Sequence, residues 1–157
     1  MTEAGTSGAL TPAAQLDSYI DRLDPKNQKL IRAIRTALRK RFPTANELAY
    51  DYTTFLVIGY SPSERGIESI VAVAARPTGV FLYFNQGPQL PDPTKILQGK
   101  GKQTRFIQLE TASRLLAPEV EALVRATIEQ AKIPFPSEGK GNLIMMSETS
   151  RKRPRRA

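Results

Sequence analysis

The sequence predicts an α+β fold, a two-layer sandwich in which an antiparallel sheet of about five strands carries an N-terminal helix pair and a C-terminal helix on one face. Hydrophobic residues recur at helical spacing towards both ends of the chain, whereas residues 47–109 alternate and are rich in β-branched and aromatic residues. The connections within the alternating region are short and contain Gly, Pro and Ser. They favour antiparallel hairpins, because parallel strands need long crossovers.

Each predicted helix has a recognisable start or apolar stripe. Residues 13–23 place apolar side chains at helical spacing. A second helix is predicted over residues 25–42, because Asp24 can cap its first N–H groups and a proline follows at the first helical position. The last helix is predicted over residues 118–132, which also begin with a proline and carry acids in the first turn.

The alternating region divides into strands separated by turn residues. The strands are predicted at residues 47–52, 55–60, 69–75, 80–85 and 105–109. A further turn or two of helix is expected from Asp92-Pro93 through Leu97, where the helix-start signal recurs. Residues 81–84 are apolar or aromatic at every position, so both faces of this strand carry such side chains. The sheet face away from the helices is therefore expected to be partly apolar. Such a face can bind a partner or a second copy.

The chain is expected to form one domain with two unstructured ends. Its 157 residues fit a single hydrophobic core. Residues 1–12 lack periodicity and predict a flexible leader, residues 13–132 hold the predicted elements, and residues 133–157 predict a disordered basic tail with one apolar patch at 143–146.

The basic tail carries half of the net charge of +8. A basic cluster of this kind attracts polyanions by counterion release, so a weak nucleic-acid contact is one interpretation. A solvated end that only improves solubility is the other. The candidate contact residues are Arg151, Lys152, Arg153, Arg155 and Arg156.

The chain contains no Cys and no His. Disulfides, thiolate and imidazole chemistry and the usual zinc ligands are therefore excluded, and a binding protein is expected rather than an enzyme. No cofactor is indicated. The first residues lack a secretory signal and the longest apolar run, 70–75, is far short of the roughly 20 residues of a membrane span, so a cytoplasmic protein without a membrane contact is expected.

A glycine-spaced basic segment between the fourth and fifth predicted strands is the main candidate site. Glycines expose backbone N–H groups and the basic side chains add charge, which together suit an anion. The segment lacks the spacing of a P-loop and leads into a strand, so a flexible hairpin-like connection is the alternative. The candidate anion ligands are Gly99, Lys100, Gly101, Lys102 and Arg105.

A metal site made of oxygen ligands is a second possibility. Three acids follow one side of the first helix and its end, and two more flank the first strand. Hard cations take such ligands, although acids at this spacing are also typical of a solvated helix surface. The candidate ligands are Asp17, Asp21, Asp24, Glu47 and Asp51.

Two blocks of sequence resemble the YdhG-like family, a domain of unknown function. The first is the helix start at Asp24-Pro25, followed by the end of the long helix at residues 41–43 and by residues 47–50. The second is residues 89–102, including the glycine-lysine loop, followed by residues 105–109. The resemblance extends over about residues 13–132. It implies a compact α+β domain and, from one branch of the family, a frataxin-like intracellular iron chaperone.

Three functions are therefore carried forward. The leading hypothesis is a non-enzymatic cytosolic domain that binds a small anionic ligand or a protein partner through the Gly99–Arg105 loop and the adjoining sheet. The alternatives are an iron chaperone that uses the acids, and a nucleic-acid contact through the tail. The sequence leaves the oligomeric state open.

Overall fold

The computed structural model describes residues 10–85 and 87–146. The described chain forms three α-helices and a six-stranded sheet. In chain order the elements are α1 (Pro12–Ile20), α2 (Pro25–Arg41), β1 (Asn46–Asp51), β2 (Leu56–Ser61), β3 (Val71–Arg76), β4 (Gly79–Asn85), β5 (Thr104–Leu109), α3 (Pro118–Gln130) and β6 (Leu143–Met145). Short 3₁₀ turns lie at Gly66–Glu68, Gly87–Gln89 and Ala112–Leu116.

The sheet has the strand order β5-β4-β3-β2-β1-β6. Strands β1 to β5 pair antiparallel with their neighbours in the chain, and β6 adds to β1 in parallel. The predicted α+β class and the antiparallel meander are confirmed. Tight connections such as Pro77-Thr78 are too short for a crossover, which is why successive strands run in opposite directions.

The helices cover one face of this sheet. Alternate residues of each central strand, such as Ile58, Val73 and Leu82, join the apolar stripes of the helices in one core cluster, and their side chains are fully buried. The stripe of α2 contributes Ile31 and Ile34 to the same cluster. The core therefore lies between the helical layer and one side of the meander, as the alternation of the strands predicts.

Side-chain caps begin the two N-terminal helices. The Thr11 hydroxyl accepts from the Ala14 N–H, and the Asp24 carboxylate accepts from the Asn27 N–H at 2.8 Å. Helix α1 ends at Ile20, three residues before its predicted end at residue 23. The Leu23 N–H donates to the Ile20 carbonyl at 2.9 Å and so closes a tight turn. This tight turn leaves Asp24 free to cap the next helix.

The helix predicted from Asp92-Pro93 through Leu97 does not form. The Asp92 carboxylate accepts from the N–H groups of both Ile96 and Leu97, at 3.0 and 2.9 Å. Lys95 has a φ of 57°, which is outside the helical region. Asp92 was predicted to cap a helix, but in the structure it closes an isolated turn. Its carboxylate accepts from backbone N–H groups that would donate to backbone carbonyls in a helix.

The segment predicted as disordered from residue 133 contributes the sixth strand, so that expectation is wrong for residues 143–145. Leu143 and Met145 lie against the core beside Glu47 and Ala49 of β1. A side chain at Gly141 would run into the Ala45 carbonyl, so the close approach of the two segments requires glycine. Residues 147–157, including the basic cluster, lie outside the described residues.

The sheet face away from the helices, here called the open face, is covered by side chains of the sheet itself. It carries alternate residues of β1 to β5, among them Leu48, Tyr50, Val57, Gly59, Ala72, Ala74, Arg76, Phe81, Tyr83, Phe106 and Gln108. Leu48 is 0% and Ala74 only 1% exposed although none of the three described helices packs there. The rings and the loop over residues 62–69 therefore form a thin second layer.

Within the described ranges, no helix has both the length and the apolar character that a bilayer crossing requires.

Replacing Gly141 with Ala is expected to destabilise the fold by about 1–3 kcal/mol, because the new methyl group must displace either β6 or the Ala45 carbonyl. Chemical denaturation measures the change in the free energy of unfolding. Gly101→Ala is the matched control, since a Cβ there makes only ordinary contacts. Equal stabilities of the two variants would contradict the pairing of β6 with β1.

Candidate functional site

The Gly99–Arg105 loop folds back on β5 as a hairpin-like connection. Gln98 and Phe106 exchange two backbone hydrogen bonds, at 2.8 and 3.0 Å. Gly99 has a φ of 110° and lies so close that a Cβ would be 3.1 Å from the Phe106 ring. Only glycine fits both conditions. The loop is thus anchored to the sheet edge, and its two lysines are exposed.

The structure separates the five predicted anion ligands. The Arg105 guanidinium donates to the carbonyls of Gly101 and Thr104, so it holds the loop together. Lys102 lines a cleft at the end of the sheet, and Lys100 does not line it. Among the predicted basic ligands, Lys102 is therefore the one that lines this cleft.

The cleft has a volume of about 720 Å³ and is open to solvent. It lies between the β2–β3 loop, the adjacent ends of β4 and β5 and the end of α3. Its apolar wall includes Ile67 and Ile133, which are 76% and 46% exposed. The lining also includes two lysines, Lys102 and Lys132, and a set of amide side chains, Asn85, Gln89, Gln103 and Gln130.

The local hydrogen bonds explain how these elements meet. The Asn85 amide donates to the Ser69 carbonyl, which ties the β2–β3 loop to the end of β4. Gly87 N–H donates to the Gln103 carbonyl at 2.9 Å and so holds the start of β5 beside it. Lys132 follows the C-terminal end of α3, where a positive charge complements the helix dipole. The cleft is thus built by hydrogen bonds between segments that are distant in sequence.

The charges of the cleft favour an anion. Among the described residues, neither Lys102 nor Lys132 forms an ion pair with a carboxylate. The acid that lines the cleft, Glu68, accepts from the Ser63 hydroxyl at 2.6 Å and pairs with Arg65 at 3.1 Å. Its negative charge is therefore partly balanced by its own neighbours.

The five candidate metal ligands do not converge. Asp17 and Asp21 flank Arg32, Asp51 pairs with Arg22 at 2.7 Å, and Asp24 caps α2. Within residues 10–85 and 87–146, no group of three or more acids has the arrangement of a metal site. The cations and the cap take the positions next to these carboxylates that a metal ion would need.

Glu47, the fifth of those acids, belongs to a buried ionic network. Its carboxylate accepts from the Arg35 Nε and Nη2, both at 2.9 Å, and from the Tyr60 hydroxyl at 2.8 Å. Arg39 Nε lies 3.6 Å away. Glu47 is 4% exposed, so this charge is stable only because its oxygens are paired.

The network changes the acidity of its members. Burial raises the pKa of Tyr60 well above its usual value, and the nearby Glu47 charge raises it further. Burial acts to lower the pKa of Arg35, but the hydrogen bonds and charge of Glu47 outweigh it and the pKa is raised. Tyr60 therefore stays protonated and Arg35 charged in the folded protein at neutral pH.

The sequence analysis did not identify this buried network. It also did not identify Arg76, an arginine on the open face of the sheet. The Arg76 guanidinium lies 4.2 Å from the centre of the Phe55 ring, and its Nε is 3.2 Å from the Tyr83 hydroxyl. The available signal was alternation, since Arg76 shares its side of β3 with Ala72 and Ala74. The predicted nucleic-acid residues Arg151, Lys152, Arg153, Arg155 and Arg156 lie outside the described residues.

Comparison with known proteins finds no matching family model, no matching curated protein and no matching solved structure. The resemblance to the YdhG-like family stays a prediction from the motifs quoted above.

Replacing Tyr60 with Phe is expected to cost about 1.5–3 kcal/mol at neutral pH, because a hydrogen bond to a buried carboxylate is lost. The raised pKa of Tyr60 also makes wild-type stability fall with rising pH above about 10, where the unfolded chain loses this proton and the folded chain keeps it. The variant should lack that part of the slope, about 1.4 kcal/mol per pH unit.

Denaturant titrations of both proteins from neutral to alkaline pH measure this difference. Tyr19→Phe, which changes a tyrosine outside the network, serves as control and should keep the wild-type slope. Parallel stability curves for wild type and Tyr60→Phe would contradict the buried hydrogen bond.

Proposed function

We propose that this domain binds a small anionic ligand in the cleft between the Gly99–Arg105 loop and the end of α3. The observation that carries the proposal is that Lys102 and Lys132 line one concave surface, and neither is paired with a carboxylate among the described residues. Two ammonium groups beside a low-dielectric wall attract an anion more strongly than isolated surface lysines do.

The same cleft suggests that the ligand also has an apolar part. Ile67 is 76% exposed at its rim, where a side chain of this type gains by burial against a ligand. The amide groups of Gln103 and Gln130 add hydrogen-bonding positions that orient a polar head. A carboxylate or phosphate that carries a short hydrocarbon chain suits this combination.

The proposal is for binding without chemical conversion. The lining side chains are mainly lysines, amides, isoleucines and the hydroxyls of Ser69 and Thr127. A hydroxyl with no adjacent base is a weak nucleophile, and the one acid, Glu68, already accepts from Ser63 and pairs with Arg65. A cytoplasmic location and YdhG-like membership belong to this proposal on the strength of the sequence alone.

The iron-chaperone alternative has less support. Its five acids are spread over α1, the turn between α1 and α2, and β1, and arginines or a helix cap occupy their oxygens. The lysines of the cleft favour an anion over a cation.

Acetate, butyrate and hexanoate are suitable probes, together with inorganic phosphate. We expect calorimetry or protein-observed NMR titration to show affinity that rises with chain length, since each buried methylene adds up to about 0.8 kcal/mol. Lys102→Gln and Lys132→Gln should each weaken hexanoate binding several-fold, because each removes one attractive charge.

Lys100→Gln is the matched control, since it removes the same charge from the same loop but outside the cleft lining. Equal losses in Lys100→Gln and Lys102→Gln would show a general charge effect and contradict the cleft assignment. Absence of saturable binding of all four probes would contradict the proposal for this class of ligand.

A further inference from the structure

A second cavity lies where the start of α2, the β3–β4 turn and the end of β5 meet. Its volume is about 310 Å³, and it shares no lining residue with the anion cleft. A volume of this size is at the lower limit for small-molecule sites, so its occupant must be small.

Hydrogen bonds between the three segments frame this cavity. The Asn27 Nδ2 donates to the Arg76 carbonyl at 3.0 Å and ties α2 to the end of β3. The Gln108 Nε2 donates to the Thr78 carbonyl at 3.4 Å and so reaches from β5 to the turn. Gly79 has a φ of 140°, and a Cβ there would lie 2.6 Å from the Gln108 Nε2. Glycine is therefore required at the position where these segments come closest.

Two opposite charges line the cavity without neutralising each other. Lys26 lies in the first turn of α2 and Glu110 directly follows β5, and both side chains are exposed. Over residues 10–85 and 87–146, neither forms an ion pair, with the other or with a third group. The other acid of the lining, Asp24, caps α2 at its positive end. One positive and one negative charge are therefore available to a ligand.

Asn27 adds a buried hydrogen-bond acceptor to the lining. It is 5% exposed, and the Arg76 carbonyl fixes the orientation of its amide, since only the amide nitrogen can donate. No group of the described chain donates to the Asn27 Oδ1. A buried acceptor without a donor is unfavourable, so a ligand that brings an N–H group is stabilised here.

Part of the lining is apolar. Leu30 is half-buried and Pro77 is exposed, and both line the cavity. A hydrocarbon group of a ligand is stabilised when it covers such side chains, because both surfaces are removed from water.

We propose that this cavity binds a free α-amino acid with an aliphatic side chain. Lys26 pairs with the α-carboxylate, Glu110 pairs with the α-ammonium group, and that ammonium group also donates to the Asn27 Oδ1. Leu30 and Pro77 contact the hydrocarbon side chain of the ligand.

The pair of charges discriminates against simpler ions. A plain anion is repelled by Glu110 and a plain amine is repelled by Lys26, whereas a zwitterion satisfies both. The anion cleft differs in that its two lysines have the same sign. The two sites share no residue, so either proposal can fail alone.

The test is an NMR titration of the full chain that follows its backbone amide signals. The probes are L-leucine, isocaproate and isoamylamine; isocaproate is leucine without its ammonium group, and isoamylamine is leucine without its carboxylate. L-Leucine should shift the signals of Asn27, Thr78 and Gly79 saturably. It should bind there at least several-fold more tightly than either analogue, because each analogue leaves one charge of the site unpaired.

Variants of the two charges separate the two contacts. Lys26→Gln should weaken L-leucine binding several-fold without weakening isoamylamine binding, because it removes the partner of the carboxylate alone. Glu110→Gln should weaken L-leucine binding to a similar extent without weakening isocaproate binding at this cavity. Lys29→Gln and Glu129→Gln are the matched controls, since both residues are exposed, neither lines the cavity and neither has an ion pair within the described ranges.

The amide spectra also establish that each variant is folded. The proposal is overturned if L-leucine gives no saturable shift at Asn27, Thr78 and Gly79, or if either analogue binds there as tightly. It is also overturned by equal losses in Lys26→Gln and Lys29→Gln. Leucine-induced shifts confined to Lys102, Gln103 and Ile133 would assign the amino acid to the anion cleft instead, and would overturn this proposal while supporting the other.

Discussion

The three described helices all pack on the same face of a sheet whose strands are apolar on both faces, and most other features of the described chain follow from that constraint. On the helical side, Ile58, Val73 and Leu82 meet the stripes of α2 and α3 and are removed from water. On the other side the sheet covers itself, with aromatic rings placed around Ala72 and Ala74. Small residues in the centre and large rings at the sides let a sheet face exclude water without a second helical layer.

Arginine organises the charged groups of the described chain. Arg35 neutralises the buried Glu47, Arg22 holds Asp51, and Arg32 lies between two aspartates of α1. Most carboxylates near the helices are thereby engaged. Lys102 and Lys132 have no carboxylate partner among the described residues and line one concave surface, where they can attract an anion.

The cleft and the open face differ in how they are built. The cleft arises where loop ends meet, so its position depends on bonds such as Asn85 to the Ser69 carbonyl and Gly87 to Gln103. The open face is part of the sheet itself, and strand pairing sets the spacing of Phe81, Tyr83 and Phe106 on it. A small ligand with a charged head suits the proposed binding in the cleft.

The sequence by itself determined the fold class, the three helices and the first five strands, because alternation, helical spacing and caps such as Asp24 act between near neighbours. It also identified Lys102 as a candidate ligand. Only the tertiary structure decided that Lys132 lines the same cleft, that Glu47 is buried against Arg35 and Tyr60, and that residues 143–145 extend the sheet. Those pairings join residues far apart in the chain, so local pattern carries no signal for them; the packed core alone brings them together.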